Sequence, residues 1–340
     1  MSTPSSFKIT LPDDWHVHLR DGAMLATVLR ATPRFGRALV MPNLKPPIRT
    51  LQDVLSYQAR ILEHAPSFTP LMTIKIDPQT TADIVAEAKA GGVVAGKLYP
   101  DGVTTNSENG VRDFETLYPV FQAMQDCGLV LSLHGETPNP TVDCIDAETI
   151  FIRDILSRIE RDFPRLRIVL EHITTEAARW HVEQAGPNVA ATITPHHLVI
   201  TMNDVRRGTF KPHLHCLPEA KRFSDRRALR QAATRGSTKF FLGTDSAPHA
   251  KHTKECATCC AGIFNAPVAM SVLASVFEEE AALDKLEGFT SLNGAHFYGF
   301  EPNTKKLELF REDWTVPELY EEVVPFKAGE TLPWRTQLCS

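Results

Sequence analysis

Short hydrophobic runs alternate with longer stretches of helical periodicity along most of this 340-residue chain. The runs have the length of single strands, whereas apolar residues in the stretches between them recur at the spacing of one helix face. The runs predict eight strands: Asp14–Leu19, Arg37–Asn43, Thr69–Ile76, Val93–Tyr99, Leu129–His134, Arg167–His172, Val189–Thr194 and Lys239–Thr244. The stretches predict helices over Leu51–His64, Thr80–Ala90, Phe114–Cys127, Ala147–Phe163, Thr175–Ala185, Glu219–Arg235 and Ala266–Leu283.

This alternation favours parallel strands joined by right-handed crossovers, and closing eight of them gives a (β/α)8 TIM barrel of the α/β class. An open doubly wound sheet is the alternative. However, the G-x-G-x-x-G turn of a dinucleotide-dependent oxidoreductase does not follow the first strand. Because no linker or low-complexity tract divides the chain, we expect one domain over 1–340. Its barrel core would span about 11–300, and a C-terminal extension of about 301–340 would pack on the barrel.

Several histidines, one lysine and one aspartate fall where the predicted strands end. In a barrel of this kind the carboxyl ends of the strands form one rim, and chemistry collects there. The residues at this rim are His16 and His18 on the first strand, Lys97 on the fourth, His134 on the fifth, His172 on the sixth and Asp245 after the eighth. Neutral imidazoles and a carboxylate are the ligands of zinc and its neighbours, so the set predicts a metal site.

His16 and His18 carry a geometric argument, because side chains two apart on a strand point to the same face. Both imidazoles can therefore enter the barrel mouth. Alone, an H-x-H also fits two histidines on a solvated strand face, and a second H-x-H in the Pro-flanked loop FKPHLHCLPE shows how common the pattern is. Taken singly, the other rim residues also fit purely structural roles, such as a histidine in the core or an aspartate in a turn.

Four further histidines are left out of the predicted metal site. His213 and His215 belong to the Pro-flanked loop, and His196 and His197 are adjacent, so on a strand they would point to opposite sides. For these four we favour loop structure or peripheral substrate contact over metal ligation.

Charge and cysteine content narrow the class of protein. The formal net charge is −5 and no run of Lys or Arg stands out, which argues against nucleic acid or an anionic membrane surface as a partner. No apolar stretch approaches a membrane span, and no signal peptide is recognised, so we expect a cytoplasmic protein. The C-x-x-C-C cluster of Cys256, Cys259 and Cys260 could suggest a zinc knuckle, but without a second cysteine pair we favour reduced thiols in a loop.

A series of motifs in order resembles the single-domain bacterial dihydroorotases of the amidohydrolase superfamily. The motifs are WHVHLRDG at 15–22, MPNLKPP at 41–47, GKLYP at 96–100, TTN at 104–106, LHGE at 133–136, LEHI at 170–173, HCLPEAK at 215–221, GTDSAPH at 243–249 and GIFNAP at 262–267. The similarity runs from about Leu11 to the VPFKAGET segment near the C-terminus. Such proteins open or close a cyclic amide, between dihydroorotate and N-carbamoyl-L-aspartate, in de novo pyrimidine biosynthesis.

The resemblance implies two zinc ions bridged by a carboxylated lysine and a hydroxide. Carried over, His16, His18 and Asp245 would bind the first metal, His134 and His172 the second, and Lys97 would bridge them as N6-carboxylysine. Asp245 would serve as the general base and acid. Carboxylation removes a difficulty, because an ordinary lysine is a cation at neutral pH and repels metals.

The resemblance also implies how a small-molecule substrate is held. Arg20, Asn43 and His249 would bind its carboxylate, Thr104 and Thr105 would belong to a loop that closes over it, and Leu217 and Ala261 would contact the ring through backbone groups. Arg20 follows His18 at the same two-residue spacing, which independently favours a place at the rim. A homodimer is the family expectation. The alternatives are a hydantoinase or allantoinase on the same barrel, and a metal-stabilised binding protein without catalysis.

Overall fold

The central element is a parallel sheet whose eight strands pair in chain order. The computed structural model describes residues 5–31, 35–104, 107 and 110–339. Its strands are β1 (Ser6–Thr10), β2 (Asp14–Val17), β3 (Ala38–Val40), β4 (Pro70–Ile76), β5 (Ala95–Leu98), β6 (Val130–His134), β7 (Ile168–Glu171), β8 (Val189–Ile193), β9 (Phe240–Leu242), β10 (Lys306–Thr315) and β11 (Thr331–Leu338). Strands β2 to β9 correspond one to one with the predicted eight, so the predicted TIM barrel is confirmed.

Backbone hydrogen bonds close the barrel between its first and last strands. The amide of Asp245 donates to the carbonyl of His16 at 2.8 Å, and the amide of His18 donates to the carbonyl of Ser246 at 3.0 Å. The segment that follows β9 therefore lies directly beside β2. Closure itself brings the predicted ligands of the first metal together.

The barrel interior changes from apolar to polar along the strands. One buried side chain from each strand forms an apolar cluster at the amino-terminal end: Trp15, Leu39, Leu71, Ala95, Val130, Val169, Ala190 and Phe241. Two residues further on, buried polar side chains follow on five strands and face the same way: Thr73, Lys97, Ser132, Glu171 and Thr192. The apolar layer thus forms the floor beneath a polar chamber.

The helices surround the barrel and cover its floor. They are α1 (Ala23–Ala31), α2 (Leu51–His64), α3 (Ala82–Ala90), α4 (Tyr118–Cys127), α5 (Ala147–Phe151), α6 (Ser157–Asp162), α7 (Glu176–Gln184), α8 (Met202–Arg206), α9 (Phe223–Thr234), α10 (Lys251–Lys254), α11 (Ala269–Glu279) and α12 (Asn293–Tyr298). A π-helical turn, Ile152–Leu156, joins α5 to α6. In α12, Tyr298 stacks on Trp15 with ring centroids 4.4 Å apart and seals the floor. Among the described residues, no helix is long and apolar enough to cross a membrane.

A second sheet, which was not predicted, joins the two ends of the chain. Strands β1, β10 and β11 pair antiparallel in that order. On β11, Trp334 is fully buried, packs edge-on against Phe7 of β1 and donates its indole N–H to Glu278 of α11. The C-terminal segment therefore packs on a barrel helix. The division into core and extension stays a prediction.

Candidate metal centre

Three predicted ligands converge at the rim where β2 meets the segment after β9. His16 Nε2 lies 3.3 Å from His18 Nε2, and Asp245 Oδ1 lies 3.3 Å from the first and 3.0 Å from the second. All three side chains are buried. Two imidazole nitrogens and a carboxylate oxygen at these separations form a donor group that suits a divalent metal ion.

The opposite ring nitrogens of both histidines are held by other side chains. His16 Nδ1 lies 2.9 Å from Glu171 Oε2, and His18 Nδ1 lies 2.8 Å from Asn43 Oδ1. The Nδ1 atoms thus face these oxygens, and the Nε2 atoms, which lie beside Asp245 Oδ1, are the nitrogens placed to bind a metal ion. Partners of this kind fix the tautomer and orientation of metal-binding histidines.

His134 and His172 form a second group beside the first. Their ring centroids lie 4.8 Å apart, and that of His172 lies 5.1 Å from that of His16. His134 Nε2 lies 2.9 Å from Glu136 Oε2, whereas the buried Nδ1 of His172 has no hydrogen-bond partner among the described residues. Burial lowers the pKa of both imidazoles and keeps them neutral, which is the form that binds metals.

Lys97 lies within the polar chamber and is fully buried. Its Nζ has no hydrogen-bond partner among the described residues and lies 5.1 Å from the ring centroid of Tyr99. Burial lowers the pKa of Lys97 to about 8, against the opposing charges of Glu171 and Asp245. A larger share of this amine is therefore neutral near pH 8 than for an exposed lysine, and a neutral amine is what reacts with carbon dioxide.

Three site residues adopt backbone conformations that L-residues rarely use. The φ angles of Arg20, His172 and Asp245 are +62°, +42° and +46°. Each residue comes one to three positions after a strand end, where the chain turns from the barrel into a loop. Left-handed non-glycine residues cluster at functional sites because the surrounding structure holds the strain. Here the turn directs each side chain over the rim.

Arg20 and His249 form a pair at the outer edge of the centre. Arg20 Nε donates to the carbonyl of Pro248 at 2.9 Å, and its Nη2 lies 3.0 Å from His249 Nε2. The same His249 nitrogen lies 3.0 Å from the carbonyl oxygen of Ala261. One ring nitrogen cannot accept from Arg20 and donate to Ala261 at once, so the tautomer of His249 decides which of the two hydrogen bonds forms. Burial, with the charges of Arg20 and Lys254, lowers the pKa of His249 to about 3.

The remaining predicted substrate contacts lie on loops after the strands. Thr104 follows β5, and its backbone N–H donates to Ser107 Oγ at 2.9 Å. Leu217 lies between buried Cys216 and Pro218. Thr105 lies outside the described residues. The assignment of individual contacts to substrate stays a prediction.

Two carboxylates that support the ligands had no role in the sequence analysis. Glu171 accepts hydrogen bonds from His16, Ser132 and Thr192, and Glu136 accepts one from His134. Burial raises the pKa of Glu171, but the charge of His16 outweighs it and leaves that pKa below its usual value. In the sequence, Glu171 directly precedes His172 in the LEHI motif, and Glu136 follows His134 by two residues in the LHGE motif. This closeness to a predicted ligand was the signal that could have identified both carboxylates.

The prediction that His196 and His197 point to opposite sides is wrong. Their ring centroids lie 4.4 Å apart, and both rings are buried near the Cys216 thiol. The two residues lie in a turn closed by hydrogen bonds from the amides of Val199 and Ile200 to the His196 carbonyl, so strand alternation does not apply. These rings and the Cys216 thiol form a further group of possible metal donors, separate from the group of His16, His18 and Asp245.

The loop cysteines and the second H-x-H take no part in either donor group among the described residues. Cys256, Cys259 and Cys260 are free thiols on the segment after α10. His213 Nε2 lies 2.9 Å from Glu255 Oε1 at the surface, which agrees with its predicted loop position.

Replacing Glu171 with glutamine is expected to weaken metal binding by about 10- to 100-fold, the usual effect of losing a supporting carboxylate. The amide would keep the size of the side chain but present a weaker acceptor to His16 Nδ1. Metal affinity can be measured by competition with a chromophoric chelator. Glu160→Gln is the matched control, because Glu160 accepts from His181 far from the rim. Equal affinity in the wild-type and Glu171→Gln proteins would contradict the supporting role.

Comparison with known proteins identifies the family to which the chain belongs. The model of the amidohydrolase family matches residues 10–308. A dihydroorotase from Aromatoleum aromaticum is 50% identical over 334 residues, covering 95% of this chain and 97% of that protein. A crystal structure of dihydroorotase from Saccharomyces cerevisiae in complex with 5-fluoroorotic acid superposes with a TM-score of 0.92 at 36% identity, covering 98% and 99% of the two chains. An L-hydantoinase from Arthrobacter aurescens has a TM-score of 0.82 over 98% of this chain and 84% of that one, but only 17% identity, and so shares the fold alone.

The chain belongs to the amidohydrolase family, whose members depend on metals, and the donor groups at the rim agree with this. Within that family it belongs with the dihydroorotases, which cover almost its whole length. The resemblance seen in the motifs is thereby confirmed.

Proposed function

We propose that this protein interconverts (S)-dihydroorotate and N-carbamoyl-L-aspartate by opening and closing the ring amide. The observation that carries the proposal is that Arg20 and His249 lie on the same rim as the donor groups, with Arg20 Nη2 3.0 Å from His249 Nε2. A cation and a metal centre side by side suit a ring that bears a carboxylate next to the amide to be cleaved. The 5-fluoroorotic acid in the structure of the yeast protein also bears a carboxylate on its ring.

The residues present fit two metal ions, and zinc suits a set rich in imidazole. His16, His18 and Asp245 would hold the first ion, His134 and His172 the second. Lys97, as its carbamate, would hold both ions, and this is supported by a buried Nζ that has no hydrogen-bond partner among the described residues. When bound, such ions lower the pKa of a coordinated water and polarise a carbonyl.

Asp245 would move the proton in this reaction. Burial raises the pKa of its carboxyl group, but His16, His18 and His172 outweigh that effect and hold it well below the usual range, so Asp245 starts as a carboxylate. From the rim it would accept a proton from the attacking water and deliver it to the amide nitrogen that leaves. Ring closure would use the same steps in reverse.

The substrate carboxylate would lie against Arg20, Asn43 and His249. Arg20 offers planar donors for a bidentate contact. Asn43 Oδ1 lies 2.8 Å from His18 Nδ1, so its side chain is held at the rim beside a predicted metal ligand. Thr104 and Thr105 would cover the ring, and backbone groups of Leu217 and Ala261 would contact its edge.

The test is hydrolysis of dihydroorotate by the metal-loaded protein, with hydantoin and allantoin as control substrates. We expect turnover of dihydroorotate only, because neither control ring presents the same carboxylate to Arg20. Rapid cleavage of hydantoin without cleavage of dihydroorotate would refute the proposal and favour the alternative of a hydantoinase on the same barrel. A cytoplasmic location and a homodimer stay predictions.

A further inference from the structure

Lys254, at the end of α10, is a buried lysine that the proposed reaction does not use. Only 4% of it is exposed, and its Nζ donates to three backbone carbonyl oxygens, those of His215 and Cys260 at 3.1 Å each and that of Gly262. A lysine ammonium has three N–H donors, so all of them are used. The acceptors belong to two separate loops.

These loops are the ones that carry the proposed backbone contacts to substrate. His215 lies two residues before Leu217, whereas Cys260 and Gly262 flank Ala261 on either side. A backbone hydrogen bond from Gly262 to His215 also joins the two loops, at 2.9 Å. Lys254 therefore links the two loops by hydrogen bonds close in sequence to the proposed contact residues Leu217 and Ala261.

The loop around Ala261 packs tightly against the segment that carries His249. A Cβ on Gly262 would lie 2.4 Å from the Ala247 carbonyl oxygen and 3.0 Å from His249 Cδ2, so the backbone approaches there without room for a side chain. The Ala261 carbonyl contacts His249, which in turn contacts Arg20. A shift of this loop would move the Ala261 and His249 contacts together.

We propose that Lys254 is a positioning residue, which holds the Leu217 and Ala261 loops in the arrangement that binds the substrate ring and its carboxylate. The role rests on the proposed function. Lys254 is not one of the proposed metal or substrate contacts and donates to backbone carbonyl oxygens, so its loss would act on substrate binding rather than on the chemical step. The positive charge of Lys254, close to Arg20 and His249, adds to the attraction for an anionic ligand.

The test compares Lys254→Met with Lys254→Arg, and uses Lys251→Met as the control because Lys251 is an exposed lysine on the same short helix. In the metal-loaded enzyme, we expect Lys254→Met to raise KM for dihydroorotate about tenfold or more and to change kcat less than about threefold, since charged hydrogen bonds to substrate-facing backbone are lost. Lys254→Arg keeps the charge but not the geometry of the three hydrogen bonds, so its KM should lie between that of the wild type and that of Lys254→Met. Lys251→Met should match the wild type.

A second readout does not depend on activity. Amide hydrogen exchange in peptides covering 213–218 and 259–263 should be faster in Lys254→Met, by about tenfold, while the barrel strands exchange as in the wild type. Unchanged exchange and unchanged KM would overturn the proposal. So would a uniform rise in exchange with a parallel fall in kcat, which would indicate general destabilisation. If the wild type does not hydrolyse dihydroorotate, the proposed function fails, while the exchange data still test the link between the loops.

Discussion

Replacing Lys97 with alanine is expected to reduce the hydrolysis of dihydroorotate by at least about a thousandfold. The carbamate of Lys97 would be the one protein ligand proposed for both metal ions, so its removal should release at least one of them. Loss of about 4 kcal/mol of transition-state stabilisation, a reasonable value for metal-assisted catalysis, corresponds to a rate effect of this size. The measurements are kcat/KM and the metal content of each purified variant.

A small carboxylic acid separates the loss of the bridge from damage to the fold. In the alanine variant, the space left by a fully buried side chain would admit propionate, whose carboxylate could take the place of the carbamate. Lys97→Met fills that space and offers no anion, so propionate should restore activity to Lys97→Ala and not to Lys97→Met. A Lys97→Ala variant with full activity and two bound metals would refute the bridged centre.

The barrel and the rim could be predicted because each depends on local pattern. Strand periodicity located the eight barrel strands, and helix α2 has the bounds that its apolar spacing predicted, Leu51–His64. Rim positions followed from the rule that parallel strands end at one edge. The β1–β10 pairing was missed because it joins residues about 300 positions apart, such as Phe7 and Leu309, and no local signal connects them. Strands β10 and β11 pair locally, but they lie in the extension, for which no strands were predicted.

Contacts between loops were beyond prediction for a different reason. Lys251 and Lys254 both belong to the sequence KHTK and have the same chemistry, but one is exposed and the other is buried against three carbonyl oxygens. What separates them is the path of the loops around His215 and Ala261, which depends on the whole barrel. The same holds for His196 and His197, whose side-chain directions follow from a turn and not from a strand.

The left-handed conformation of Asp245 decides which substitution tests its role in proton transfer. At φ +46°, alanine would add backbone strain, whereas asparagine tolerates this region nearly as aspartate does. Asp245→Asn also keeps an oxygen where Oδ1 lies 3.0 Å from His18 Nε2, so the first metal retains a ligand. The substitution therefore removes mainly the basicity of the carboxylate.

We expect Asp245→Asn to lower kcat by about 100- to 10,000-fold, the range found for a positioned general acid or base. Binding of orotate, which has no proton to transfer, should change much less, and this can be measured by calorimetry on the metal-loaded variant. Metal content must be determined on the same sample, because added metal would restore a variant that had only lost its ion. A fully metallated Asp245→Asn enzyme with kcat within about threefold of the wild type would exclude Asp245 as the group that moves the proton. Another side chain at the rim would then have to perform that step.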